Sequence, residues 1–202
     1  MWAPGLTGIA AADPGRSRGG CHVSHELSAA AGREAAIREI IDARARAVRE
    51  GDVDGMMASV ADDVLIFDVV GPLARLGSAA SRARAAEWVA SYDGPIGWEQ
   101  RDVLITADGN VAFSHALSRV TGRLRSGAQV DMWLRSTLGF RLIDGQWRIT
   151  HDHGSVPFDA ASGTASLGLQ PDPGEPQQAG GAVPIDDMPV PPLTAPDDTK
   201  GG

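Results

Sequence analysis

Cys21 is the only cysteine in a chain of 202 residues. One thiol builds neither a disulfide framework nor a cysteine-based zinc site, and Cys21 reads as a free thiol in an unstructured leader. Positive charge is also scarce: 18 Lys and Arg stand against 26 Asp and Glu, a net charge of −8. Phosphate backbones are bound by clustered basic side chains. No such cluster occurs, so nucleic acid is not expected as a partner, and Arg82 and Arg84 read as a solvated helix face. No apolar run approaches the roughly 20 residues that a membrane helix needs. The apolar stretch from Gly5 to Ala12 is broken by glycines and precedes Arg16 and Arg18, the reverse of a signal peptide. A cytoplasmic protein with no membrane partner is expected. A phosphate loop, a dinucleotide fingerprint and a Gly-x-Ser-x-Gly elbow are also missing, so no cofactor is expected and acyl transfer at Ser155 is not.

Composition divides what remains into three parts. Residues 1–30 are rich in Gly, Ala, Ser and Pro without any period, and are expected to be a disordered extension. Val23-Ser24-His25-Glu26-Leu27 would make an ordinary protein start if Val23 were an initiator codon, which an intact peptide containing Trp2 would disprove. Residues 160–202 carry most of the prolines and the pairs Asp186-Asp187 and Asp197-Asp198. Such a tail buries too little apolar surface to offset the entropy of ordering. Its segment from Val183 to Leu193 is Pro-rich and can bind a partner in extended form. Residues 31–159 are left as one compact domain.

Within the domain, Ile37, Ile40, Ile41, Arg44 and Val48 recur at spacings of three and four, which predicts a helix from about Arg33 to Glu50 closed by Gly51. Asp52 can cap a short helix over 53–60. Val64 to Phe67 reads as a strand. A third helix is predicted from Ser78 as N-cap to about Tyr92, with Ala85, Trp88, Val89 and Tyr92 on its apolar face. The period then changes to two. Strands are expected near 97–106, 110–124, 128–143 and 146–156, joined by turns at Asp108-Gly109-Asn110, Ser126-Gly127 and Asp144-Gly145. Helices first and an antiparallel meander afterwards is an α+β pattern, in which a curved sheet can fold over the helices and leave a cavity.

The last strand carries the densest chemistry. Alternate side chains share a face, so Trp147, Ile149, His151, His153 and Ser155 line up if the strand has no bulge. A bulge would exchange the faces and bring Asp152 inward. Two imidazoles at this spacing suit a metal, with His115 as a third ligand, or a general acid/base at His153 oriented by Asp68 or Asp152. The plainer reading has one histidine lining a cavity and the other bonded structurally, and no metal site is assigned. Asp68 is either a pocket carboxylate able to take a proton or a loop aspartate capping amides near Gly71. Arg44 interrupts the apolar stripe of the first helix. It must reach a carboxylate, with Asp68 a candidate, or an anionic ligand, unless it snorkels to solvent. Trp133, Arg135 and Thr137 oppose the more apolar set Met132, Leu134, Ser136 and Leu138, so they fall on the outer sheet surface as interface residues or ligand contacts. Trp98 and Trp147 suit a core or a pocket wall.

These residues carry a resemblance. Gly51-Asp52, Ala61-Asp62-Asp63, Asp68 and Gly71, then Trp133-Leu134-Arg135-Ser136-Thr137, Asp144-Gly145-Gln146-Trp147-Arg148-Ile149 and His151-Asp152-His153-Gly154-Ser155-Val156-Pro157-Phe158 resemble the SnoaL-like, or ketosteroid-isomerase-like, branch of the NTF2-like superfamily over roughly residues 33–158. The resemblance implies an α+β cone-shaped barrel, with three N-terminal helices packed in a strongly curved, mostly antiparallel sheet, a deep pocket for a small-molecule ligand, and a homodimer formed through the sheet. It places Asp68 where ketosteroid isomerases hold their base. Their tyrosine donor falls at Arg44 and their second donor near Leu138, so both donors are replaced and steroid isomerisation by that route is not expected. The resemblance thus implies a pocket protein running cofactor-free acid/base chemistry on a small carbonyl or cyclic molecule, as an isomerase, cyclase or hydratase/dehydratase. Asp68, His153 and Arg44 are its candidate catalytic groups, and Trp98, His115, His151, Trp133 and Arg135 its candidate ligand contacts. The alternative is a non-catalytic dimeric binding or association module.

Overall fold

The computed structural model describes residues 19–173, with only the backbone path given for 19–27. The expectations for Cys21, for Val23 as a start and for the Pro-rich segment 183–193 therefore lie outside the described side chains or residues. The compact unit ends at Pro171, and beyond it only Asp172 and Pro173 are described.

Three helices precede and interrupt the sheet. They are α1 (Gly19–Glu50), α2 (Val53–Met57) and α3 (Ser78–Ala90). Helix α1 begins earlier than its apolar stripe, so residues 19–30 continue a helix where an extension was expected. Its stripe is the buried one: Ile37, Ile41 and Val48 are each no more than 4% exposed. The helix stops in a Schellman arrangement. Gly51 takes φ +67, its N–H donates to the Val48 carbonyl, and Asp52 N–H donates to the Ala47 carbonyl. Helix α3 is capped by Gly77 rather than Ser78, and Ser78 instead turns its hydroxyl to Asp62.

Six strands form one sheet: β1 (Val60–Phe67), β2 (Arg75–Leu76), β3 (Gly97–Asp108), β4 (Val111–Arg123), β5 (Gln129–Ile143) and β6 (Gln146–Ser155), in the order β2-β1-β6-β5-β4-β3. The α+β class and the β3–β6 meander agree with the sequence pattern. The turn at Asp144-Gly145 has φ +50 and +74, the left-handed pair that a two-residue hairpin demands. Two features lie beyond that pattern. β1 runs parallel to β6, which makes the sheet mixed, and the sheet stays open between edges β2 and β3 instead of closing into a barrel.

Two apolar clusters fill the space between helices and sheet. One gathers Ile37, Ile41, Leu138, Phe140 and Ile149; the other gathers Ala47, Val48, Met56, Tyr92, Ile96 and Val120. Residues expected to trail off after 159 instead fold locally. Phe158 bridges to Ala165, and Asp159 Oδ1 accepts the amides of Ala161 and Ser162. No described helix is long and apolar enough to cross a membrane.

Candidate functional site

A cavity of about 230 Å3 lies between the two clusters. Helix α1 supplies Ile41, Arg44, Ala45 and Val48, one stripe at spacings of three and four; α3 supplies Ser81, Arg84, Ala85 and Trp88 on the same pattern. The inner face of the sheet adds Ile66, Trp98, Gln100, Val120, Met132, Leu134, Ser136 and Leu138, and the end of β1 adds Asp68. The walls are mainly apolar, with a few convergent polar groups, which is the composition of a small-molecule site.

The face of β6 that meets the cavity is set by a bulge. Gly139 pairs with His151 and Phe140 with Ile149, so Thr150 is an extra residue with no partner on β5. Ile149 is buried in the core at 1% exposure. Past the bulge, Asp152 and Gly154 line the cavity. His151 and His153 turn to the outer surface, where Phe67 meets them edge-on at 5.0 and 5.7 Å. His151 Nδ1–H donates to the Leu65 carbonyl at 2.9 Å, and His153 is exposed. The inward acid group of this strand is thus Asp152, not His153. A signal for the bulge stood in the sequence: Gly139 interrupts β5 opposite the imidazole, and a Cβ there would lie 3.2 Å from the Cβ of His151.

Four of the charged side chains in the cavity wall form two pairs. Arg44 Nη2 donates to Asp152 Oδ2 at 2.6 Å, and Arg84 Nε donates to Asp68 Oδ2 at 3.1 Å. All four side chains are between 20% and 25% exposed. Arg44 therefore does reach a carboxylate, but Asp152 instead of Asp68. Asp68 is held by Arg84, which the sequence pattern assigns to a solvated face. The missed signal was spacing, since Arg84 sits three residues after Ser81 and four before Trp88. Arg82 is the solvated one, paired with exposed Asp54. On the far wall, Gln100 Nε2 donates to Ser118 Oγ at 3.4 Å, and Ser118 shares a 2.8 Å hydrogen bond with Ser136.

Of the other sequence candidates, Trp98 lines the cavity and packs edge-on against Trp88 at 6.4 Å. His115, Trp133 and Arg135 lie on the outer sheet face, away from the cavity. His115 stacks on Phe113 at 6.2 Å. Trp133 is only 9% exposed; its indole N–H donates to Gln170 Oε1 at 3.0 Å, and Arg119 rides over its ring. Arg119 also grips Asp131 with two 2.8 Å bonds, which holds the Asp131 carboxyl below its ordinary range. Among the described residues, no group of three or more His, Cys, Asp or Glu converges as a metal site would require.

A family model described as a SnoaL-like domain matches residues 37–159. Among solved structures, an NTF2-like protein of unknown function from Pseudomonas putida KT2440 is 32% identical, with a TM-score of 0.65 over 70% of this chain and 98% of that one. An NTF2-like protein with a cystatin-like fold from Novosphingobium aromaticivorans is 18% identical, with a TM-score of 0.56 over 73% of this chain and 96% of its own. A ketosteroid isomerase-like protein from Erwinia carotovora atroseptica is 17% identical, with a TM-score of 0.53 over 60% and 94%. The last two establish likeness of fold alone. No curated protein matches the chain.

Proposed function

The chain belongs to the SnoaL-like domain family, and on that premise we propose that it is a small-molecule pocket protein performing cofactor-free acid/base chemistry on a carbonyl-bearing or cyclic compound: isomerisation, cyclisation, or addition or removal of water. The observation that carries this reading is the presence of Asp68 and Asp152, two carboxylates, in the wall of a mainly apolar hollow. A cavity of about 150 Å3 accommodates benzene, so 230 Å3 suits one ring with substituents or a compact bicycle.

In this reading Asp68 moves the proton. Arg84 engages only its Oδ2, which leaves Oδ1 for a substrate C–H or O–H. Arg44 stabilises negative charge that develops on a substrate oxygen, and Asp152 fixes the direction of that guanidinium. His153 enters only if a second copy or a rearrangement brings it to the substrate, and it is not part of the proposed machinery. Pairing of two copies through the outer sheet face, where Val111 and Phe113 are 58% and 46% exposed, belongs to the same proposal, as does a cytoplasmic location.

A second reading is a binding module without catalysis. It is favoured by the pairing of both cavity carboxylates with arginine, which resembles a pocket satisfied by its own groups. Proton exchange separates the two. A panel of cyclic ketones in D2O is incubated with the protein and followed by NMR for loss of the α-proton. Catalysis predicts exchange in at least one compound and its loss in Asp68→Asn. Exchange that survives in Asp68→Asn, or binding of the panel with no exchange in any member, refutes the catalytic reading.

A further inference from the structure

The charges lining the cavity do not balance. Arg44 with Asp152 and Arg84 with Asp68 are neutral pairs, but a third guanidinium, Arg75, also lines the wall. It stands on the short edge strand β2, opposite Ile66, whose side chain lines the same cavity. Arg75 Nη2 donates to the Gly71 carbonyl at 2.6 Å, which ties the β1–β2 loop to the strand. Its Nε–H is buried without an acceptor among the described residues, and none of the ion pairs among the described residues includes it. A guanidinium offers five donors, and a neutral carbonyl satisfies one of them without cancelling any charge. That Nε–H is itself too enclosed for a ligand to reach, but a partly desolvated guanidinium without a carboxylate partner is costly unless an anion at its Nη groups balances the charge.

We propose that the natural ligand is a small monocarboxylate, an aromatic or alicyclic body bearing one negative charge, whose carboxylate is anchored by Arg75. This rests on the small-molecule pocket reading and adds the ligand's charge and its point of attachment. One surplus positive charge selects a monoanion. A phosphate dianion would overshoot it and set excess negative charge beside Asp68. Planar guanidinium and planar carboxylate also match as a two-point contact. The apolar remainder of the ligand lies against Val48, Trp88, Met132 and Leu134, a depth that a free inorganic anion would leave unfilled.

The test is calorimetric titration of the whole chain with 2-naphthoate and with its neutral isostere 2-naphthamide, on the wild-type protein and on Arg75→Gln. The expected result is naphthoate binding about tenfold or more tightly than the amide to wild type, since a charge-assisted contact contributes that much, with the preference falling towards unity in Arg75→Gln. Equal binding of both compounds to wild type overturns the anion assignment and leaves the pocket reading standing. A preference that persists in a folded Arg75→Gln overturns the anchor. Binding of neither compound overturns the pocket reading and this inference together. The wild-type comparison decides the ligand's charge even if the variant does not fold.

Discussion

Arg44 on the first helix and Asp152 on the last strand meet at 2.6 Å across 108 residues of sequence. The contact ties α1 to β6, an interior strand of the sheet, and sets a fixed dipole in the cavity wall. Both side chains are mostly covered, at 25% and 20% exposure, so removal of either leaves a lone charge in a poorly solvated place. Arg44→Ala and Asp152→Ala are each expected to cost about 2 kcal/mol of stability, below the range for fully buried pairs because some solvent reaches both. The double variant is expected to cost clearly less than the sum of the singles. Urea unfolding of the four proteins measures this, and strict additivity would show that the pair is not coupled.

Gly154 gives the cavity a wall without a side chain. A Cβ there would meet Leu134 Cδ1 at 3.6 Å and Val69 Cγ1 at 3.7 Å, ordinary contact distances. Gly154→Ala is therefore expected to fold and bind as the parent does, whereas Gly154→Phe projects a ring into the hollow. Trp88 and Trp98 line the same space, so their fluorescence reports occupancy. The Phe variant is expected to lose about tenfold or more in affinity for aromatic ligands, with no loss in thermal stability beyond about 1–3 kcal/mol of overpacking. Unchanged affinity in Gly154→Phe would place the ligand elsewhere.

Asp159 organises the segment after the sheet. The Ser162 amide, the Ser162 hydroxyl and the Ala161 amide all donate to its Oδ1, and the Ser162 amide above all holds the carboxyl below its ordinary value of 3.8. A folded value below the unfolded one means that the turn gains stability from the charged form above that ordinary value. The gain is lost as pH falls through the folded value. Amide NMR shifts of Ala161 and Ser162 are expected to titrate with a midpoint below 3.8. A midpoint at or above that value would show that the turn does not favour the carboxylate.

The parts of this architecture that are local were readable from the chain. The hairpins of β3 to β6 are fixed by Gly109, Gly127 and the Asp144-Gly145 pair, whose backbone needs are met within two residues of each turn. The buried stripe of α1 follows from period alone. What depends on distant partners was not readable. The two-residue strand β2 is too short to carry a pattern, and the parallel pairing of β1 with β6 joins segments separated by most of the domain. The face of β6 turned on one residue. Alternation carries His151 and His153 inward, and the unpaired Thr150 moves them out and Asp152 in. Arg84 was missed because two arginines on a helix rich in alanine read as one solvated face, although only Arg84 shares the stripe of Ser81 and Trp88.

The contact between Trp133 and Gln170 gives the outer sheet face a tethered occupant. Any second molecule that seeks the same indole meets a rival already attached to the chain, whose local concentration does not fall on dilution. If two copies pair through this face as proposed, association and release of the strap are one equilibrium, and a chain cut before residue 160 is expected to dimerise at lower protein concentration than the 202-residue chain, which sedimentation of the two measures.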